Sequence, residues 1–163
     1  MKLFIKKITI IFLSFFIIVG CTKEPLKIGQ ILSLDKTIIM NLDISQPDNN
    51  TISISDRVVI DKVVDDLNNI NVQKLSASEE ANILNNGKVL GKHTTYGFDL
   101  LENKDKQTYI MFYLLSEKEL VVVNEKPANT LRSISYLNLS DQVSLDIVSS
   151  LYKLIKETSN KYQ

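Results

Sequence analysis

The run TYIMFYLL, residues 108–115, is apolar on both of its alternating faces, and it constrains the fold more than any other part of the chain. A strand points successive side chains to opposite sides of its sheet, so one that is apolar on both sides belongs inside a sheet with packing above and below. On its amino side, TTYGFDLL sets Tyr96, Phe98 and Leu100 in alternation with polar or small neighbours, and ENKDK supplies a turn. On its carboxyl side a second charged turn, SEKE, leads into ELVVV. Three strands joined by two short turns predict an antiparallel meander with 108–115 in the middle.

The meander needs helices to cover it, and the chain offers one near each end. From Asp56, Val59, Val63, Leu67 and Ile70, with Ile60 and Val64 beside them, fall on one helical stripe. Ser55 or Asp56 is placed to cap the start, and NNIN ends it. Near the carboxyl end, Val143, Ile147, Val148, Leu151, Leu154 and Ile155 make a second stripe behind Ser140 and Asp141. The segment TIIMNLDIS alternates Ile38, Met40, Leu42 and Ile44 with Ile39, Asn41, Asp43 and Ser45, which predicts a strand with one wet face. QPDNN is turn chemistry, and TISIS behind it is a short strand or entry segment. VQKLSA and SISYLNL are further strand candidates. SASEEANILNNG carries a capping box, Ser76 with Glu79, for a short helix or ordered loop. The expected fold is α+β, an antiparallel sheet of about four to six strands with two main helices, one N-terminal and one C-terminal, packed on one face.

The amino terminus points to a destination. Lys2, Lys6 and Lys7 precede an apolar run over 8–19, then Gly20 and Cys21, the one cysteine of the chain. That order is the layout of a secretory signal peptide. Twelve residues make a helix of about 18 Å, short of the roughly 30 Å hydrocarbon core, so a permanent membrane span is not expected. Ile18-Val19-Gly20-Cys21 resembles the lipobox of bacterial lipoproteins. The resemblance implies cleavage between Gly20 and Cys21 and attachment of diacylglycerol, with acyl chains such as palmitate, to the Cys21 sulfur. A thiolate is a suitable nucleophile for that thioether, and two acyl chains anchor stably where one holds only marginally.

The expected domain plan is therefore a signal peptide over 1–20, a tether over 21–36 and a single domain over 37–163. Loss of 1–20 removes three lysines and no acid, so 16 basic residues face 19 acidic ones and the net charge is −3. No basic block remains to form a nucleic-acid footprint, and no cysteine remains for a disulfide.

Several groups were weighed as sites. Asp65 and Asp66 are adjacent, but neighbours on a helix point about 100° apart and do not readily share a proton. His93 is the only histidine, which rules out a multi-histidine metal site, and no nucleophile-elbow motif accompanies it. ENKDK lacks the spaced acids and central glycine of a calcium loop, and no phosphate-binding glycine loop occurs. Asn49-Asn50-Thr51 and Asn138-Leu139-Ser140 match the glycosylation pattern. Neither a catalytic constellation nor a cofactor motif emerges, and a non-enzymatic protein is expected. Tyr96, Phe98, Tyr109, Phe112 and Tyr113 gather on the meander, where aromatic residues usually form cross-strand core pairs. The sheet face turned away from the helices is the expected interaction surface if any of them is exposed.

The lipobox together with TIIMNLDIS, DRVVIDKVVDDLNNI and SLYKLIKE resembles the small single-domain lipoproteins of low-GC Gram-positive bacteria that form a domain of unknown function. The abundance of Ile, Asn and Lys suits that source. The resemblance implies a lipoprotein on the outer face of the bacterial cell membrane and brings no activity with it. The function expected is a non-catalytic binding module in the cell envelope, held to the membrane by its lipid and engaging a protein or cell-wall component. The alternatives are an immunity or inhibitor lipoprotein and, less favoured, an envelope hydrolase.

Overall fold

The computed structural model describes residues 25–44, 51–85, 95–103, 109–125 and 133–162. The fold is α+β. Eight strands form one antiparallel sheet: β1 (Leu26–Lys27), β2 (Ile39–Ile44), β3 (Thr51–Ile54), β4 (Asn71–Lys74), β5 (Tyr96–Leu101), β6 (Ile110–Ser116), β7 (Glu119–Asn124) and β8 (Ile134–Asn138). Their spatial order is β1-β4-β8-β7-β6-β5-β2-β3, and every pairing is antiparallel. The helices are α1 (Ile28–Ile31), α2 (Arg57–Asn69), α3 (Ala77–Asn85) and α4 (Gln142–Tyr162). The meander β5-β6-β7 occupies the middle of the sheet as its alternation requires.

The sheet has more strands than the four to six expected, and the excess lies at its margins. β1 has two residues, too few to show any period, and lies in the segment read as a tether. That segment is part of the domain: Ile28, Leu32 and Leu34 are buried in the core, and the Ile28 amide donates to the Ile70 carbonyl at 3.1 Å. Residues 26–36 thus belong to the folded unit, among the described residues, along with those from 37 onward. Ile28, Leu32 and Leu34 carry the difference, because each enters the core and α1 packs against α2.

One face of the sheet holds the main core. Met40 and Leu42 of β2, Phe98 of β5, Phe112 and Leu114 of β6, and Leu120 and Val122 of β7 are essentially inaccessible. Phe98 and Phe112 are cross-strand partners whose rings stack at 5.1 Å and 12°. Against this face α2 places Ile60, Val63, Val64 and Leu67, and α4 places Val148, Leu151, Tyr152 and Ile155. The two helices run antiparallel. The amino end of α2 meets the carboxyl end of α4 where Lys161 Nζ lies 3.8 Å from Asp56 Oδ2, and at the opposite ends the Asn71 amide donates to Ser144 Oγ at 3.0 Å.

Helix starts follow their side-chain chemistry. Asp56 caps α2 by accepting from the Val58 amide at 3.0 Å. Ser76 and Glu79 form the expected box before α3, with the Ser76 amide donating to Glu79 Oε2 at 2.8 Å. Asp141 accepts from the Ser144 amide at 2.9 Å and from its hydroxyl at 2.8 Å. The stripe of α4 is offset from the expectation at its first turn: Val143 is 61% exposed and Ser144 is buried. The Ser144 hydroxyl is tied to Asp141 and Asn71, so a polar residue faces inward at no cost in unmet hydrogen bonds.

Two predictions follow from these contacts. A Cβ added at Gly29 would lie 2.8 Å from Asn68 Oδ1 and 3.1 Å from Asn68 Cβ, so Gly29→Ala should cost about 1–3 kcal/mol as α1 is pushed off α2. An unchanged melting temperature would show that residues 26–31 are not docked. The Ser144 amide, foremost among its bonds, holds the Asp141 carboxyl below the ordinary carboxylate range. A depressed folded-state value means the cap contributes fully above the unfolded value near pH 4 and is lost as pH falls through the folded one. Asp141→Ala should therefore lower the melting temperature at pH 7, by about 1 kcal/mol in stability, and the gap to the native chain should narrow in melts carried below pH 3.

Candidate functional site

The five meander aromatics do not share one face. Phe98 and Phe112 are sealed in the core, and Tyr96, on the same face, packs edge-on against Tyr152 at 5.4 Å. Tyr113 points to the opposite face, and Tyr109, partly buried, precedes β6. Aromatic pairing across strands therefore explains Tyr96, Phe98 and Phe112, whereas Tyr113 belongs to the face turned from α2 and α4.

That second face is covered unevenly. Over β6, β7 and β8, Leu115, Val121 and Val123 form a small apolar cluster joined by Ile83 of α3, Tyr113 and Leu137. Glu80 of α3 fastens the helix to β8, accepting from Ser135 Oγ at 2.8 Å and Ser133 Oγ at 3.1 Å. The expected apolar patch on this side is thus largely roofed by a third helix.

Beyond the reach of α3 the face turns polar. Gly97, Asp43 and Thr51 continue the row of Tyr113, and Asn41 and Ser53 lie in the next row. Gly97 has no side chain to fill its place, and the Tyr113 ring lies across it, Cε1 3.4 Å from where a Cβ would sit. Burial, and then the nearby Glu125 and Asp43 carboxylates, push the Tyr113 phenol up and keep it protonated. Thr51 Oγ1 donates to Asp43 Oδ1 at 2.6 Å, and Ser53 Oγ donates to Asn41 Oδ1 at 2.8 Å. At the far end of these strands a cleft of about 390 Å³ opens between Ile39, Asn41, Ser53, Ile54, Ser55 and Leu101. Its floor mixes aliphatic surface with two hydroxyls and an amide. Nothing in the sequence marked it as a site, because Asn41 and Ser53 read only as the wet positions of two strands.

Cys21, Gly20 and His93 lie outside the described residues, as does most of ENKDK. Asp65 is exposed, whereas Asp66 is half-buried with Lys62 Nζ 3.5 Å from its Oδ2, too long for a firm hydrogen bond. Burial pushes the Asp66 carboxyl up against the pull of Lys62. Asn138 is 5% exposed and structural: its Oδ1 accepts from the Leu120 amide at 2.7 Å, and its Nδ2 donates to the Lys118 and Leu139 carbonyls. A glycan cannot be carried on an amide so engaged. Asn49 and Asn50 lie outside the described residues. Among the described residues no group of three or more His, Cys, Asp or Glu could hold a metal ion, and no helix is long and apolar enough to cross a membrane. None of the family models, curated proteins or solved structures compared with the chain matches it.

Asp66 supplies a test of its surroundings. A carboxyl whose folded value is raised costs stability as pH climbs through that value, because the folded state holds its proton longer than the unfolded chain does. Asp66→Asn should match or exceed the native chain in melting temperature at pH 7 and lose that margin below pH 4. A clear drop at pH 7 would mean that the Lys62 pair outweighs the burial of the charge.

Proposed function

We propose that this chain is a lipoprotein of the bacterial cell envelope, anchored through Cys21 and serving as a non-catalytic binding module close to the membrane. The observation that carries the reading is the join of Gly20 and Cys21 at the end of an apolar run led by three lysines. A cysteine placed there is suited to acylation, and the run is suited to export rather than to permanent residence in the bilayer. The position of β1 supports the anchoring. Leu26 is five positions after Cys21, and five extended residues span at most about 18 Å. A domain on so short a leash stays at the lipid surface, where its partners are envelope proteins or cell-wall components. The mature charge of −3 offers no attraction to anionic lipid, so the acyl chains supply the membrane affinity. The binding role is supported by the mixed polar cleft and by the part of the second sheet face beside it that α3 does not cover.

The test is made in a low-GC Gram-positive host grown with an alkyne fatty acid. The native chain should take up the label and sediment with membranes, and Cys21→Ser should lose the label and appear in the medium or as uncleaved precursor. Labelling that survives Cys21→Ser would remove the anchor from the proposal. Cross-linking on intact membranes then reads the binding role: the anchored form should capture a reproducible partner that the Cys21→Ser form does not.

A further inference from the structure

We infer that the outer edge of β3 receives an extended peptide from a partner protein, added as a ninth strand with one side chain seated in the cleft beside it. The inference rests on the binding-module reading and names the surface and the chemistry of the partner segment.

Sheet edges are usually protected by charge, proline, a bulge or brevity, since their unpaired amides and carbonyls recruit other strands. The two edges of this sheet differ in that respect. β1 is two residues long, follows Pro25 and passes directly into α1. β3 is Thr-Ile-Ser-Ile, with neither a charge nor a proline, and its register with β2 runs unbroken from Met40↔Ile54 to Asp43↔Thr51. Among the described residues no strand lies on its outer side. Thr51 and Ser53 are exposed, and both hydroxyls bond inward to β2, so neither turns across the outer flank.

The cleft adjoins this edge through Ser53, Ile54 and Ser55. Strand addition draws affinity from main-chain hydrogen bonds and specificity from pockets that take alternate side chains. A residue placed laterally to Ser53 points to the same face as Ser53 and so toward the cleft. The near aliphatic surface of Ile54 and Ile39 suits a methylene stem, and Leu101 closes the far wall on β5. The Asn41 amide, whose Oδ1 is taken by Ser53, keeps its NH2 for a polar tip. Glutamine fits both requirements. The residue lateral to Thr51 has β3 between it and the exposed Asp43 carboxylate, about 10 Å from backbone to backbone, so a long cationic side chain, Lys or Arg, is the one expected to reach it. Between them, the residue lateral to Ile52 continues the core face and is apolar. Every pairing in the sheet is antiparallel, and an antiparallel ninth strand reads apolar-Gln-apolar-Lys from its amino end.

Area favours a peptide over a second copy of the chain. Four residues of edge extend about 13 Å along a sheet about 10 Å deep, a few hundred Å² at most. A stable association of two folded domains takes about 1,200 Å² or more.

The experiment uses the full chain in detergent and a labelled peptide, acetyl-Ser-Val-Gln-Val-Lys-Ser-amide, followed by fluorescence anisotropy. Saturable binding is expected. Asp43→Lys should weaken it roughly tenfold or more, and a peptide with Glu in place of Lys should bind that variant better than the native chain. N-methylation at alternate backbone nitrogens of the peptide should abolish binding in one alternation and spare it in the other, a result that leaves the native protein untouched. Absence of saturable binding to millimolar peptide overturns the inference. So does binding indifferent to both the charge swap and the N-methyl series. A dimer in sedimentation that excludes the peptide would replace it with self-association. A membrane partner still cross-linked by Asp43→Lys would sink this edge while leaving the binding-module reading in place, whereas loss of every partner in the native chain would sink both.

Discussion

Burial of β6 and β7 on both faces is the constraint from which the other arrangements follow. On one face Phe112, Leu114, Leu120 and Val122 demand a broad apolar cover, and only a pair of long amphipathic helices can supply it. On the other face Leu115, Val121 and Val123 need only a small roof, and one nine-residue helix provides it. Among the described residues α3 is pinned to β8 through Glu80 and does not cover β2 and β3. Those strands must therefore carry side chains that tolerate water, which is why Asn41, Asp43, Thr51 and Ser53 occupy that face and satisfy one another. The polar region and its cleft are thus the complement of an incomplete second layer.

The antiparallel helix pair is held at its two ends by different means. Where α2 ends, Asn71 gathers several bonds: its amide donates to Ser144, its carbonyl accepts from Leu139 at 2.8 Å, and its side chain reaches Asp141 at 3.4 Å. Together with the bond from Ile28 to Ile70, this joins α1, the end of α2, the start of β4, the residue after β8 and the start of α4. At the opposite end a single long ion pair joins exposed groups, Lys161 and Asp56, and such a pair contributes little in water. The packing of α4 is thus tied by side-chain hydrogen bonds near Ser144, whereas toward Tyr162 it is carried by Ile155 and by the buried Thr158 and Ser159.

Much of this was legible in the chain because two periods are written plainly into it. The alternation of Met40 and Leu42 with Asn41 and Asp43 places a core face and a wet face on β2, and the stripe of α2 reads directly as its buried side. The parts that were not legible share a physical reason: they are fixed by partners distant in sequence. β1 has too few residues to carry a period and is recognised only by pairing with β4. Ser144 is buried in place of Val143 because hydroxyl chemistry at a helix start outweighs hydropathy there. Asn138 resembles an acceptor for a sugar and turns out to close the start of β7. The aromatic cluster was visible as a cluster, but its division between faces depends on the position of each residue along its strand, and the alternation that buries Phe112 turns Tyr113 outward.

The position of β1 in the sheet would set the geometry of the molecule at a bilayer if the chain is anchored as proposed. β1 and β3 are the first and last strands of eight, and seven inter-strand spacings of about 4.8 Å place them roughly 34 Å apart along the sheet. Under the proposed anchoring through Cys21, the β1 margin would lie nearer the bilayer and the β3 margin would stand farther out, like the tip of a mast. The sheet then acts as a spacer whose height is counted in strands, and deleting or adding a strand pair would change that height in steps of about 10 Å.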